Sequence, residues 1–166
     1  RRLVPFELMD SNGSRITEAQ FAGKTVVVNL MYTGCSLSSR DMMQRLQEFQ
    51  SRTSHMTNLL LVSLTLDPRS DSPEALAAFA KGMNADTQPW WFLTGDKEQV
   101  RRLVRESFFP AAAGTGNGAI GNYVGLDTVT VIDGTGHVTA TLEGLNPDLV
   151  SELWPLVEKL TAARKP

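Results

Sequence analysis

Residues 26–40 have the sequence VVVNLMYTGCSLSSR, and they determine the predicted fold. The apolar and β-branched run that opens this stretch predicts a buried strand, and the polar residues after it predict a short turn followed by a helix. Cys35, the only cysteine of the chain, lies at the turn. Because the positive end of a helix dipole favours a thiolate, the stretch predicts a strand, a turn and a helix that present one candidate reactive thiol.

Length and composition limit the classes of protein to consider. The 166 residues carry a formal net charge of −2 and are 42% hydrophobic, which suits a single domain over residues 1–166. The lack of a basic run argues against nucleic acid as a partner, and no apolar run reaches the ~18 residues of a membrane span. One cysteine excludes an internal disulfide and a multi-cysteine zinc site. The sequence begins at Arg1 without an initiator methionine, which is compatible with a trimmed product whose targeting segment or membrane tether preceded Arg1.

Alternating strand and helix patterns lie on both sides of this stretch. Strands connected through helices predict a parallel core, to which an N-terminal hairpin and a late hairpin add antiparallel strands. The predicted fold class is therefore α/β and thioredoxin-like, with a mixed central sheet flanked by helices. Pro155 interrupts the apolar spacing of the last helix, so we expect that helix to be kinked or divided. The predicted strands are 6–10, 15–17, 26–32, 58–66, 88–94, 123–133 and 137–143, and the helices begin after Cys35, at Ser72, at Asp96 and at Asn146.

Two surfaces are candidates for docking a partner. The glycine- and alanine-rich stretch 108–122 has no core-forming pattern, and long loops in compact domains are often lids or binding segments. The helix that begins at Asp96 carries a basic outer face, formed by Arg101, Arg102 and Arg105. A solvated helix face and a docking surface both account for these arginines.

Met42 and Met43 allow two interpretations. Met42 shares a helix face with Leu46 and Phe49, which is typical of core packing. Thioethers also bind soft metals, but Met42 lies ~10 Å along the helix axis from Cys35. The spacing therefore favours the core. The two histidines are expected at the end of a helix, for His55, and at an exposed hairpin flank, for His137.

Five stretches, taken in order, resemble the Sco/SenC family of thioredoxin-like copper proteins. They extend from about Phe6 to Gly144, and their order and spacing are more specific than any one of them. The stretches are 6–13, FAGKTVVVN at 21–29 with YTGC at 32–35, SLTLDPRSDSPE at 63–74, WFLTG at 91–95, and 123–136. Members of that family bind copper through two cysteines four positions apart and one distant histidine, and are implicated in the assembly of cytochrome oxidase.

The resemblance places the family's ligand positions on Cys35, Ser39 and Asp127 of this chain. Cu(I) prefers thiolate, thioether and imidazole to hydroxyl and carboxylate, so two of the three positions carry unsuitable groups. The resemblance thus implies a degenerate metal site that binds copper weakly or not at all, with no confident cofactor. Ser39 also cannot act as a resolving cysteine in a dithiol reaction.

The resemblance implies an extracytoplasmic location, periplasmic or otherwise. It also implies a protein partner, either a copper enzyme or oxidase subunit or a thiol protein. Three functions remain open: an accessory protein in copper-enzyme and cytochrome oxidase assembly, a single-cysteine thiol oxidoreductase or peroxidase-like enzyme with Cys35 as its catalytic thiol, and a non-catalytic docking module. The balance favours a protein that is not an enzyme.

Overall fold

The computed structural model describes residues 1–34, 37–85, 89–108 and 127–162, without the side chains of residues 37–39. Within these residues the chain forms seven strands and four α-helices. The strands are β1 (Glu7–Asp10), β2 (Arg15–Thr17), β3 (Thr25–Met31), β4 (Leu59–Thr65), β5 (Trp90–Thr94), β6 (Thr128–Ile132) and β7 (Val138–Glu143). The helices are α1 (Leu37–Arg52), α2 (Pro73–Gly82), α3 (Lys97–Leu103) and α4 (Leu149–Ala162), with a 3-10 turn at Glu18–Phe21 and a π-helical turn at Val104–Phe108.

The strands form one mixed sheet in the order β2-β1-β5-β4-β3-β6-β7. The three central strands, β5, β4 and β3, are parallel, and the outer strands are antiparallel to their neighbours. Every residue of β3 and β4 is buried, because both faces of the central sheet are covered. This arrangement explains why both strands consist of nearly continuous apolar runs, and it confirms the predicted mixed sheet.

Two apolar cores lie on the two faces of the sheet, and the adjacent tryptophans of β5 serve one each. Trp90 is fully buried and stacks on Phe92, with ring centroids 5.3 Å apart. Trp91 packs against the other core, where its ring lies 6.4 Å from that of Phe21. Successive strand residues point to opposite faces, so each tryptophan packs in a different core.

A chain of buried hydrogen bonds crosses the three central strands. The Trp90 indole donates to the Ser63 hydroxyl at 3.0 Å, and that hydroxyl donates to Asn29 Oδ1 at 2.6 Å. The Asn29 amide in turn donates to Met43 Sδ on α1 at 3.2 Å. These polar groups are therefore satisfied inside an otherwise apolar layer.

The last helix differs from the prediction. α4 is continuous from Leu149 to Ala162 with Pro155 inside it, so the predicted division is wrong, whereas the alternative, a kink at Pro155, stays a prediction. Pro155 is exposed, and the buried side chains Leu149, Val150, Leu153 and Val157 lie along the other face. Packing of that face holds the helix together across the missing backbone hydrogen bond, which lies on the solvent side.

Two further boundaries complete the fold. β6 begins at Thr128, and the predicted strand residues before Asp127 lie outside the described residues. Phe108 ends the π-helical turn, and residues 109–122 of the candidate docking loop also lie outside them. No helix in the described ranges has both the length and the apolar character that crossing a membrane requires.

Candidate functional site

The turn that leads to Cys35 lies at the carboxyl end of β3. Met31, the last residue of β3, pairs with Thr65, the last residue of β4. On the other side of β3, Asn29 pairs with Val129 of the antiparallel strand β6. Asp127 precedes Val129 by two residues and is exposed, so the strand register places it at the level of Met31. The turn that leads to Cys35 and the family position at Asp127 therefore lie at the same end of the central strands, called here the Cys35 edge.

A buried carboxylate supports this turn. Asp71 lies in the loop before α2 and is only 1% exposed. It accepts hydrogen bonds from the Thr33 amide at 3.0 Å, from the Thr33 hydroxyl, and from the Thr65 hydroxyl at 2.6 Å. Asp71 thus links the loop before α2 to Thr65, at the end of β4, and to Thr33, which follows β3 and lies two residues before Cys35.

Cys35 and Ser36 lie outside the described residues, and for Ser39 the structure gives the backbone within α1 only. α1 begins at Leu37, two residues after Cys35, which confirms the predicted strand, turn and helix. Of the three family ligand positions, Ser39 belongs to the first turn of α1 and Asp127 is the residue before β6.

The two methionines of α1 belong to the core. Met42 and Met43 are fully buried, which confirms the packing interpretation. Met43 Sδ accepts the hydrogen bond from Asn29. Met42 packs so closely on Gly144 that a Cβ there would lie 2.2 Å from Met42 Sδ, and the Gly144 amide donates to the Asp127 carbonyl at 2.6 Å. Met42 thus supports the segment that carries Asp127 through packing.

His137 lies at the opposite end of the central strands from the Cys35 turn. Ile132, at the end of β6, pairs with Val26 near the start of β3, and His137 follows in the hairpin turn. The length of β3, about 20 Å at the usual rise of a strand, separates this turn from the Cys35 turn. His137 is exposed, as predicted, and its Nδ1 lies 2.8 Å from the Thr135 hydroxyl.

Asp133 organises the same hairpin turn. Partial burial raises the pKa of Asp133, but hydrogen bonds from the Thr135 hydroxyl and from the His137 and Thr135 amides outweigh it, so the pKa lies below its usual value. Those bonds are 2.7, 3.1 and 2.8 Å long. The carboxylate and the imidazole of this turn are therefore parts of a local hydrogen-bond cluster.

His55 is also remote from the Cys35 turn. It lies beyond Arg52, at the far end of a helix that is about 22 Å long at 1.5 Å per residue. Its ring contacts Trp154, with centroids 6.2 Å apart. Arg52, Val150, Ser151 and Trp154 line a shallow groove of about 510 Å³ at this end of the helix.

Of the three donors that the resemblance assigns, only the Asp127 side chain is among the described residues. In the described part of the chain, no group of three His, Cys, Asp or Glu side chains could hold a metal ion. Neither histidine reaches the Cys35 edge, so imidazole is not supplied there by another part of the described fold. A thiolate, a hydroxyl and a carboxylate form too hard a set for Cu(I).

The predicted basic face on α3 is partly neutralised. Arg101 pairs with Glu98 at 3.2 Å, while Arg102 and Arg105 both lie within 3.4 Å of Glu106. Exposed pairs of this kind contribute little to stability, about 0–1 kcal/mol each. They reduce the field that an acidic partner would encounter, which weakens the case for docking there.

Sequence analysis missed the role of Asp71. The residue lies in a polar stretch, Arg69-Ser70-Asp71-Ser72, that looks like an exposed loop. Its burial follows from the packing of the loop against the ends of β3 and β4, which local pattern does not encode. The only available signal was its place within the SLTLDPRSDSPE stretch of the family resemblance.

Comparisons with known proteins agree with the observed fold. A structure of BsSco, described as a member of the Sco family of cytochrome c oxidase assembly proteins, superposes with a TM-score of 0.83 at 18% identity and covers 98% of this chain and 95% of that one. Yeast Sco1 with copper bound gives 0.74 at 18% identity, covering 98% and 96%. At such identities the likeness shows the fold alone, and it confirms the predicted thioredoxin-like class.

Sequence comparison identifies the family. The SCO1 protein homolog of Bacillus subtilis (strain 168) is 22% identical over 106 residues, which are 63% of this chain and 55% of that protein. Protein SCO1 homolog 2, mitochondrial, of Arabidopsis thaliana is 30% identical over 109 residues, 61% of this chain and 37% of that protein. The matched region thus spans about half or less of these relatives. The SCO1/SenC family pattern matches residues 2–149, and this chain belongs to the SCO1/SenC family.

Proposed function

We propose that this chain is an extracytoplasmic accessory protein in the assembly of a copper enzyme such as cytochrome oxidase, with family copper binding weakened or lost. The observation that carries the proposal is the placement of the donors. Asp127 lies at the Cys35 edge, where the family resemblance expects a histidine. The length of α1 separates His55 from that edge and the length of β3 separates His137 from it, about 20 Å or more in each case.

The relatives support the assembly role. BsSco is described as belonging to a family of cytochrome c oxidase assembly proteins, and Bradyrhizobium japonicum ScoI and yeast Sco1 have structures with copper bound. The extracytoplasmic location follows a Bacillus anthracis relative that is described as a lipoprotein and an Arabidopsis relative described as mitochondrial. A copper enzyme, an oxidase subunit or a thiol protein is the partner that this role requires.

In this role Cys35 provides the working group. With α1 beginning two residues later, the thiol belongs to the positive end of a helix, where the thiolate is favoured. The thiolate attacks a disulfide of the partner, the partner's S–S bond breaks, and a mixed disulfide forms while one partner thiolate leaves. Because Ser39 has no thiol, a second thiol from outside the chain must complete the exchange.

A Cu(I) competition titration of the reduced protein tests the metal part. Ser39→Cys combined with Asp127→His places the family's donors at the family's positions. The loss of an outer-shell partner costs a metal site roughly 10–100-fold in affinity. Because this double variant restores two direct ligands, we expect it to bind Cu(I) more tightly than wild type by more than that factor. The matched control, Ser51→Cys with Asp127→His, places its added thiol at the far end of α1, so it gains only the imidazole at the site and is expected to bind Cu(I) less tightly than the double variant.

Two results would contradict the weakened site. One is wild-type affinity equal to that of the double variant, and the other is tight wild-type binding that Cys35→Ala abolishes. The assembly role is tested separately, by cytochrome oxidase activity in the source organism after its own copy is deleted. Wild type is expected to restore oxidase activity and Cys35→Ala is not. Full oxidase activity in the deletion strain would refute the role.

The helix position of Cys35 also supports a second candidate, a single-cysteine thiol oxidoreductase. Peroxide or disulfide turnover with an external thiol as reductant distinguishes it from the first. Turnover that is lost in Cys35→Ala, without any effect of deletion on oxidase activity, would favour the enzyme.

A further inference from the structure

We propose that Asp71 is the positioning residue of the Cys35 turn. Its buried carboxylate holds Thr33 in place, and the order of the thiol-bearing turn depends on that attachment. The inference rests on the proposed function in one respect, namely that Cys35 is the working group of the site. No covalent step and no metal enters it.

The contacts of Asp71 are divided between the turn and its support. Oδ1 accepts the Thr33 hydroxyl, and Oδ2 accepts both the Thr33 amide at 3.0 Å and the Thr65 hydroxyl at 2.6 Å. Two of the three hydrogen bonds therefore hold Thr33, which lies on the turn. The third joins the carboxylate to β4, which is buried along its whole length.

The loop that carries Asp71 is itself ordered by hydrogen bonds. The Asp71 amide donates to the Asp67 carbonyl at 2.9 Å, and the Asp67 amide donates to the Thr65 hydroxyl at 3.0 Å. Ser72 caps α2 by accepting the Ala75 amide at 3.2 Å. Asp71 is thus fixed between the end of a buried strand and the start of a helix, which makes it a rigid anchor for Thr33.

Chain length links Thr33 to the thiol. Cys35 follows Thr33 by two residues, so its Cα lies within about 7 Å of the Thr33 Cα. Leu37, two residues further on, is the first residue of α1. Thr33 and Leu37 are therefore the fixed points of the chain on the two sides of Cys35, and the hydrogen bonds to Asp71 fix the one on the strand side. Loss of those bonds leaves the helix as the nearer attachment.

The chemistry of the side chain fits an anchor of this kind. A carboxylate offers about four acceptor sites in a plane, enough for three donors from two different segments. The ion pairs of the described residues do not include Asp71. A charge that is 1% exposed is stabilised here by hydrogen bonds, and a buried carboxylate left without them would be strongly disfavoured.

The single cysteine allows a direct test. A nitroxide attached to Cys35 by a methanethiosulfonate reagent reports the order of the turn through its electron paramagnetic resonance line shape, without any other cysteine to remove. We expect Asp71→Ala to narrow the line shape, because both Thr33 bonds are lost. Thr33→Val removes only the hydroxyl bond, so its line shape should lie between those of wild type and Asp71→Ala.

Two matched variants separate positioning from general stability. Thr65→Val also removes a hydroxyl bond from Asp71, together with the bond from the Asp67 amide, but none from Thr33. We expect its line shape to match wild type even where its unfolding midpoint falls. Asp71→Asn can present its carbonyl oxygen to the Thr33 amide and the Thr65 hydroxyl, and its NH₂ group to the Thr33 hydroxyl oxygen. It should therefore retain the wild-type line shape.

Amide exchange provides a readout without a label. The Thr33 amide is expected to exchange about tenfold or more faster in Asp71→Ala than in wild type, because a charge-assisted hydrogen bond is lost. The same label placed at Ser54→Cys in a Cys35→Ser background, with and without Asp71→Ala, shows whether the effect is local. Circular dichroism establishes that each variant is folded before measurement.

The inference is overturned if Asp71→Ala leaves the Cys35 line shape unchanged. It is also overturned if the label at position 54 changes to the same extent, or if Thr65→Val narrows the Cys35 line shape as much as Thr33→Val does. None of these measurements contains copper or a partner. A failure here therefore leaves the copper titration and the oxidase experiment to decide the proposed function independently.

Discussion

Gly144→Ala is the most direct perturbation of the packing beside Asp127. Gly144 is buried, and its amide donates to the Asp127 carbonyl at 2.6 Å. A Cβ at this position would lie 2.2 Å from Met42 Sδ, 3.0 Å from Met42 Cγ and 2.9 Å from the Asp127 carbonyl oxygen. All three distances are at or below the closest approach that real Cβ atoms make, so something must move.

The magnitude follows from what can move. The Met42 thioether is flexible, but Met42 is fully buried within the core. The Asp127 carbonyl is backbone and accepts the bond from the residue that is changed. The close approaches of the new Cβ to Met42 and to the Asp127 carbonyl oxygen can therefore be relieved together only by a backbone shift. Overpacking of this kind costs about 1–3 kcal/mol of unfolding free energy. For a domain of this size, 2 kcal/mol corresponds to a fall in Tm of about 4–8 °C.

Urea unfolding, followed by circular dichroism, measures the change. Gly82→Ala is the matched control, because Gly82 ends α2 and a Cβ there meets nothing within 4 Å. It is expected to leave the free energy of unfolding unchanged or to raise it by about 0.4–1 kcal/mol. Met42→Ala combined with Gly144→Ala should cost less than the sum of the single changes, since the new methyl group occupies part of the space that Met42 leaves.

A free energy of unfolding for Gly144→Ala within about 0.5 kcal/mol of wild type would contradict the predicted overpacking, because that is the usual range of neutral surface changes. Strict additivity with Met42→Ala would also refute it. In that case Met42 and Gly144 would not be in the tight contact from which the magnitude was derived.

Two other predictions concern the hairpin turn and the last helix. The pKa of Asp133 is lowered in the folded state, so its charged form contributes stability that is present above the ordinary carboxyl pKa of about 4 and is lost as pH falls through the lower folded value. Urea unfolding between pH 7 and pH 2.5 should show that the difference in free energy of unfolding between wild type and Asp133→Asn shrinks as pH falls. A difference that grows as pH falls would contradict the predicted direction of the pKa shift. Pro155→Ala restores a backbone hydrogen-bond donor inside α4 but also gives the unfolded chain more conformational freedom. Together these effects are expected to raise the free energy of unfolding by about 1–2 kcal/mol, seen as a higher Tm in calorimetry. A lower Tm would show that Pro155 fits its position without strain.

Much of the fold is predictable because its central strands are buried on both faces. The runs that became β3 and β4 are apolar at almost every position, and such runs separated by helical patterns favour a parallel core. The helix starts at Pro73 and Lys97 also follow local signals, since Ser72 and Asp96 cap them as expected. Local chemistry acts over a few residues, which is the range that sequence patterns cover.

Features that depend on distant packing were not predictable. The continuity of α4 through Pro155 depends on the side chains that pack on its other face, and the burial of Asp71 depends on where a loop meets two strand ends. The π-helical turn at Val104–Phe108, which carries Arg105 and Glu106, is likewise not revealed by periodicity. For the candidate site, sequence could give the positions Ser39 and Asp127 by resemblance, while the distance to either histidine required the sheet register.

The buried chain of Trp90, Ser63 and Asn29 has a consequence for how the strands find their alignment. Most side chains of β3 and β4 are apolar, so sliding one strand past the other by two residues would keep the same faces inward and most contacts apolar. In the observed register Asn29 lies opposite Ser63. A slip would place Asn29 opposite Leu61 or Thr65 and separate it from the Ser63 hydroxyl, at about 1–3 kcal/mol for each buried group left unsatisfied. Three polar side chains thus select one alignment among several that hydrophobicity alone would permit.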